Sequence, residues 1–498
     1  MDLFTIGFPT ALSLQSLMYC FFGVFLGTFI GALPGVGALA AVSLLFPLTF
    51  HLDAVSGLVM LAGVYYGSEY GGSTSSILLN LPGGPANAVT CLDGYPLARQ
   101  GRAGVALLAT TLASFFGGSV GIVMLMLFTP WIVAIALSFQ SADFFAAMLL
   151  ALVASSAIGQ GSPLKGFASM VLGILIGCVG VDMTSGQARL DFGILELAEG
   201  ISLVVLAMGL FGLAEVALSV DSHETKQPIQ NVGFRSMVMK RDEVRQSTWP
   251  TIRGTFIGSI LGALPGTGPT IASFIGYAVE KRISKHPERF GTGVIEGITS
   301  PEAANNAAAQ TAFIPTLSLG IPGSATMAIM MGAMLIQGIT PGPRLLSEHP
   351  DLFWGLVASF WIGNLMLLIL NVPLIGIWVK LLQIPYHLLY PPIVVMICVA
   401  TYGLSSSTLD VWLVLIFGAL GLAFKLLDFP AAPLLIGFIL GPLIEQNFLR
   451  AMMLADGDIV RMLERPIAAG LLAITVVILI WSGLGTLRPY LKSRALQH

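Results

Sequence analysis

The heptapeptide Gly31-Ala32-Leu33-Pro34-Gly35-Val36-Gly37 returns 231 positions later as Gly262-Ala263-Leu264-Pro265-Gly266-Thr267-Gly268. The match runs upstream, with Gly27 facing Gly258 and Thr28 facing Ser259. A second pair of breaks, Leu81-Pro82-Gly83-Gly84 and Ile321-Pro322-Gly323-Ser324, repeats at an offset of 240. Each half therefore carries two Pro-Gly interruptions in the same order. A chain built this way folds as two related halves arranged around shared breaks.

Composition sets the solvent in which those halves fold. Apolar residues make up 55% of the chain and charged residues 10%, against roughly a quarter charged in an average soluble domain. A bilayer core about 30 Å thick needs about 20 apolar helical residues per crossing, and the chain offers roughly eleven to thirteen hydrophobic segments, several interrupted by Gly or Pro. The expected fold is an all-α polytopic membrane protein. A net charge of −3 gives no electrostatic footprint for nucleic acid. Cys20, Cys91, Cys178 and Cys398 are scattered through apolar sequence without metal or paired-thiol spacing, and read as packing residues.

Charge placement predicts the topology. No Lys or Arg precedes Arg99, whereas Lys226, Arg235, Lys240, Arg241, Arg245 and Arg253 crowd the connection between the halves, and Arg488, Lys492 and Arg494 close the chain. The positive-inside rule puts both basic segments in the cytoplasm and the N-terminus in the periplasm. Residues 1–20 lack a basic start and a small-residue cleavage site, so they are expected to be the first membrane helix and not a removed signal. Arg253 precedes the second loop and Lys281, Arg282 and Lys285 follow it, while the first is flanked by Gln15 and by His51-Leu52-Asp53 without a basic residue. Arms of about eleven residues, 254–264 and 270–280, reach only about 17 Å, half a bilayer. This pattern predicts re-entrant half-helix hairpins entering from opposite faces, hence two inverted structural repeats. Residues 1–220 would form membrane repeat 1, 221–250 a cytoplasmic inter-repeat linker, and 251–498 membrane repeat 2 plus the C-terminal helices.

Bare backbone at membrane depth survives only where it is buried in protein or lines a polar cavity. Pro34 and Pro265 break the helix, and the Gly-x-Gly that follows lets amides and carbonyls approach a ligand. A half-helix then starts near Ala38, or at Thr270, with its positive end at the break; that end suits a carboxylate, and the freed carbonyls suit a small cation. One proline kink would need no ligand, but two equivalent copies point to a site. Near the second break stand Tyr66, Glu69, Tyr70, Ser73, Thr74, Ser75, Ser76 and Asn80 in one half, and Glu302, Asn305, Asn306, Gln310, Thr311, Thr316 and Ser318 in the other. Any single Ser or Thr among them could be a helix-packing residue. The candidate substrate- and ion-binding residues are Pro34, Gly35, Gly37, Ser73, Thr74, Asn80, Pro82 and Gly83, with Pro265, Gly266, Thr267, Gly268, Asn305, Asn306, Pro322, Gly323 and Ser324. Glu69 is a functional candidate as a carboxylate at membrane depth, unless its Gly-rich neighbours place it at an aqueous rim. Ser300-Pro301-Glu302 has the grammar of a helix start, with Ser as N-cap and Pro at the first helical position.

No catalytic signature accompanies these loops. Neither HExxH nor GxSxG occurs, Gly35-Val36-Gly37 follows a membrane helix and not a strand, and there is no Walker lysine. An enzyme is not expected, nor a bound cofactor or metal, and transport would be driven by an ion gradient or by a partner.

Taken together, the motifs resemble one family. The chain is similar, over essentially its full length, to the large membrane subunit of the tripartite tricarboxylate transporter family. The similarity rests on the GALPGVG loop, on Tyr70-Gly71-Gly72-Ser73 running to Asn80-Leu81-Pro82-Gly83, on Asp93-Gly94-Tyr95-Pro96, and on Pro301-Glu302-Ala303-Ala304-Asn305-Asn306-Ala307 followed by Leu319-Gly320-Ile321-Pro322-Gly323-Ser324. It implies a multi-pass transporter of the bacterial inner membrane that imports organic carboxylates with a small membrane subunit and a periplasmic solute-binding protein. The alternative is a self-sufficient carboxylate carrier or channel. A di- or tricarboxylate brings charge that the membrane interior does not tolerate uncompensated. The breaks hold no Lys or Arg, and helix N-termini supply about half a charge each. A co-transported Na⁺ or H⁺ is therefore expected beside the substrate, held by carbonyls of the breaks and by side chains such as those of Ser73, Asn80, Asn305 and Asn306.

Overall fold

The computed structural model describes residues 2–495 apart from 159–161, 183–185, 221–231, 234–235, 383 and 385. Much of the expected linker 221–250, including Lys226 and Arg235, lies outside the described residues. Helix dominates the described chain, with one two-stranded hairpin pairing Gly180–Val181 and Ala188–Arg189.

The first half opens with short helical turns to Ala11, and only then does α1 (Leu14–Ala32) begin, with the Ser13 hydroxyl accepting from the Ser16 amide at 3.3 Å. The first membrane helix is therefore not residues 1–20 but starts at that cap. Beyond the first loop come α2 (Gly37–Leu45) and α3 (Ala54–Leu79), the latter capped by Asp53, which accepts from the Ser56 amide at 3.0 Å. Next are α4 (Ala103–Ala136), α5 (Ser141–Ile158), α6 (Pro163–Gly177), α7 (Leu203–Ala207) and, after a π-turn, α8 (Ala214–Val220). The second half contains α9 (Arg241–Gly262), α10 (Gly268–Ile283), α11 (Glu296–Thr311), α12 (Ala325–Ile336), α13 (Pro350–Asn371), α14 (Thr408–Leu426), α15 (Ala431–Leu454) and α16 (Pro466–Ala495). Among the described residues six helices are long and apolar enough to cross a membrane, and six shorter apolar helices accompany them.

Two helix pairs form the centre. In α1, Gly23, Gly27 and Gly31 lie against the backbone of Met60, Val64 and Ser68 in α3; in α9, Gly254, Gly258 and Gly262 lie against Ser300, Ala304 and Ala308 in α11. A Cβ at any of these glycines would run into a backbone carbonyl of the facing helix. Small residues every fourth position are how helices approach closely where lipid gives no hydrophobic drive. The glycines are related by 231 positions and their partners by 240, the same offsets as the two motifs.

The paired arms are less equal than matched half-bilayer pieces, three of them longer and one shorter: α1 has 19 residues, α2 9, α9 22 and α10 16. Helix α9 starts in polar sequence, where Glu243 pairs with Arg102 of the first half, which holds its carboxyl below the usual carboxylate range. A larger tie is Asp93, fully buried. Its Oδ1 accepts from the amides of Gly291 (2.9 Å), Gly293 (2.8 Å) and Val294 (3.0 Å), and its Oδ2 from the Tyr277 hydroxyl (3.0 Å). That capture fixes the chain just ahead of α11, which begins at Glu296 and not at the Ser300-Pro301 pair. Pro301 lies inside the helix, where its missing amide costs one bond to Gly297. Ser300, relieved of capping, donates its hydroxyl to the Gly276 carbonyl at 3.0 Å.

Candidate functional site

In each half the two Pro-Gly breaks bind one another. The Gly35 amide donates to the Pro82 carbonyl at 2.9 Å, and the Gly266 amide to the Gly323 carbonyl at 3.0 Å. Backbone angles repeat as well: φ is 87° at Gly35 and 83° at Gly266, 66° at Gly37 and 60° at Gly268. Asn80, with φ 59°, ends α3 as Gly320, with φ 67°, ends the short helix before Ile321. Gly266 shows why the position is glycine: its φ lies in the left-handed region, and a Cβ there would stand 2.6 Å from Ser155 Cα. Gly83 is held differently, wedged against the Gly31 carbonyl and Gly72 Cα with no room for a side chain.

Both loops open onto one cavity of about 990 Å³. Of the expected site residues, Gly35, Gly37, Gly266, Thr267, Gly268 and Ser324 line it. Helices α2 and α10 start at Gly37 and Gly268, so the amide ends of two helices meet this space. Pro82 and Gly323 hold the loops by the bonds above, and Pro34, Gly83, Pro265 and Pro322 adjoin them without lining the cavity. Thr267 donates its hydroxyl to the Leu264 carbonyl at 2.9 Å and also to Leu261, so its oxygen is tied to the end of α9. Asn80 is exposed and stands apart as a helix end.

Ser73, Thr74, Asn305 and Asn306 are buried in α3 and α11, behind the lining. Most of the polar groups there answer to Glu302. Its Oε1 accepts from Thr90 Oγ1 at 2.6 Å and from Asn87 Nδ2 at 3.4 Å, and its Oε2 from Ser114 Oγ at 3.4 Å. Asn306 Nδ2 donates to Ser114 Oγ at 2.8 Å, and Asn87 Nδ2 approaches Ser73 Oγ at 3.4 Å. Such a buried carboxyl group is tolerated because three side chains, Thr90, Asn87 and Ser114, donate to it. Asn305 is different: neither polar atom of its amide makes a well-formed hydrogen bond, although the Glu69 carboxyl lies beside it, and the Tyr65 hydroxyl, beside Ser324, and Gln310 Oε1 likewise make none. Buried polar atoms in native proteins are as a rule paired with protein groups, ordered water or an ion. Glu69, 6% exposed, faces the cavity with Tyr65 and does not sit at an outer rim.

Sequence order concealed several lining groups. Lys165 of α6, Glu215 of α8 and Lys425 of α14 reach the cavity from outside either pair of breaks. Their only local signal is a lone charge within or beside an apolar helix, which by itself does not say what it faces. No group of three or more His, Cys, Asp or Glu side chains is arranged for a metal ion among the described residues.

Comparison with known proteins agrees with the loops. The model of the Tripartite tricarboxylate transporter TctA family matches residues 17–436. A curated protein of Agrobacterium vitis described as "Uncharacterized 52.8 kDa protein in TAR-I ttuC' 3'region" is 47% identical over 487 residues, covering 97% of this chain and 96% of that protein. A second from the same organism, "Uncharacterized protein in TAR-II ttuC' 3'region", is 50% identical over 231 residues, 46% of this chain and 96% of its own length. No solved structure gives a significant match. With two Pro-Gly loop pairs facing one cavity among apolar helices, and with the family match spanning most of its length, this chain belongs to the tripartite tricarboxylate transporter TctA family, as a multi-pass membrane component of a transporter that works with partner subunits.

Proposed function

We propose that this chain is the membrane subunit of a binding-protein-dependent secondary transporter of the bacterial inner membrane, importing an organic di- or tricarboxylate down a cation gradient. The observation that carries the proposal is the single cavity walled by the first loop of each half, Gly35 to Gly37 and Gly266 to Gly268. Its volume of about 990 Å³ lies at the upper end of small-molecule sites, roughly 300–1,000 Å³. Two helix N-termini there offer amides to carboxylates. The solute-binding protein delivers the carboxylate from the periplasm, and the small membrane subunit completes the carrier.

Na⁺ or H⁺ travels with the substrate. Of the oxygen ligands expected from sequence, Asn305 is best supported, since its buried amide lies beside the Glu69 carboxyl and makes no well-formed hydrogen bond. Ser73 and Asn306 are engaged around Glu302, and Asn80 is a surface cap. The test is uptake of labelled carboxylates into proteoliposomes holding all three components, with Na⁺ and proton gradients imposed separately. Concentrative uptake that persists with both gradients collapsed refutes the coupling. Asn305→Ala should remove the cation dependence. Uptake by this subunit alone would favour the self-sufficient carrier or channel.

The halves are placed in the membrane with opposite orientations, N-terminus periplasmic and C-terminus cytoplasmic. The support is the contrast in basic flanks between the two loops. Cysteines at positions 51 and 285 should react with impermeant reagents from opposite sides of the membrane; labelling from the same side sinks the inverted arrangement.

A further inference from the structure

The repeated loops contain no fixed cation, yet the cavity they share has two. Lys165 Nζ donates to the Leu427 carbonyl at 2.6 Å and lies 5.3 Å from the centre of the Phe429 ring. Among the described residues no carboxylate stands within ion-pair distance of it. Lys425 is paired with Glu215, whose Oε1 lies 3.2 Å from the point a Cβ of Gly35 would occupy. A carboxylate of the protein's own thus already rests against the first loop, beside the N-terminal end of α2 and under a lysine. Glu69 and Asp428 complete the charged lining.

We propose that Lys165 and Lys425 form the anion-binding wall of this cavity: Lys165 holds one carboxylate of the substrate, and Lys425 takes a second when that carboxylate displaces Glu215 from the first loop. This rests on the carboxylate-transport function proposed above and deepens it. Lys165 gives one of its three N–H donors to Leu427, leaving two for a ligand. Exchange at Lys425 trades one carboxylate for another, so the lysine keeps a counter-charge throughout. A bound dianion and the two ammonium groups balance. The released Glu215 then adds to the carboxylates of the lining, Glu69 and Asp428, and a co-transported cation offsets this negative charge. The arrangement accounts for how a site whose loops are neutral accepts a multiply charged acid, and for why a cation must accompany it.

The experiment uses the three-component proteoliposomes with labelled citrate and labelled succinate as probes. Lys165→Gln should raise the apparent KM at least about tenfold, the loss expected for one charge-assisted hydrogen bond, with the larger effect on citrate, and Lys165→Arg should restore most of it. Lys425→Gln should also raise KM, whereas Glu215→Gln, which removes the internal competitor, should lower it. In detergent, citrate should raise the melting temperature of the wild-type subunit but not that of Lys165→Gln. If Lys165 only ties α6 to the turn at Leu427, both acids will lose maximal rate equally with KM unchanged, and the assignment is overturned. Unchanged kinetics in both lysine variants overturn it equally. A wild-type complex that carries neither acid sinks the carboxylate function itself, and the lysine assignment with it.

Discussion

The two loop pairs share a backbone and differ in almost everything that touches it. Gly35 meets a flexible carboxylate, Glu215, whereas Gly266 is pressed on the backbone of Ser155. Val36 and Gly84 of the first half stand where the second half has Thr267 and Ser324. The carboxylates do not correspond either: at an offset of 240, Glu69 falls opposite Ala309 and Glu302 opposite Ala62. One correspondence does survive, because Tyr65 and Asn305 are equivalent positions and both carry buried polar atoms without a well-formed hydrogen bond. Duplication therefore supplied a rigid frame twice over, held by glycine seams and loop-to-loop bonds, and each half then acquired its own charges. A symmetric frame with an asymmetric lining suits the anion-and-cation site proposed above.

That contrast can be broken most sharply at the loop glycines. Gly266→Val should abolish uptake while the protein still reaches the membrane, and should destabilise it by about 2–5 kcal/mol through left-handed strain plus collision with Ser155. Gly35→Val should lose only about 1–2 kcal/mol, the strain alone, because Glu215 can swing away. Equal losses in thermal melts of the two purified variants would show that the companions do not matter. The next effect concerns the joint between the halves. Asp93 corresponds at the same offset to Ala333 and has no counterpart. Asp93→Ala would orphan three amides and a tyrosine hydroxyl, costing roughly 3 kcal/mol, and should turn a single melt into two as the halves part; an unchanged single transition would argue against the tie. The smallest effect belongs to Thr267→Val, which gives the second loop the residue of the first. Losing the hydroxyl bonds to Leu264 and Leu261 should cost about 1 kcal/mol with uptake retained. Lost uptake would instead make the Thr267 oxygen part of the site.

Local chemistry made the frame legible in the sequence. Pro and Gly dictate backbone within a few residues, so the loops, their pairing by half and the membrane setting all followed from order and composition. The starts of α2 and α10 fell within a residue or two of their expected places for the same reason. Where a distant group intervenes, local grammar fails: Ser300-Pro301 reads as a helix start, but Asp93, some two hundred positions earlier, fixes the chain at Gly291 to Val294 and moves the start to Glu296. The polar helix α11 illustrates the same limit, since only its position between α9 and α4 shows that Glu302, Asn305 and Asn306 are buried. Likewise the sequence determined that the breaks themselves are uncharged. Only the tertiary structure decided that Lys165, Glu215 and Lys425, from three separate helices, would stand around them, because charge acts through space and a linear order records none of those distances.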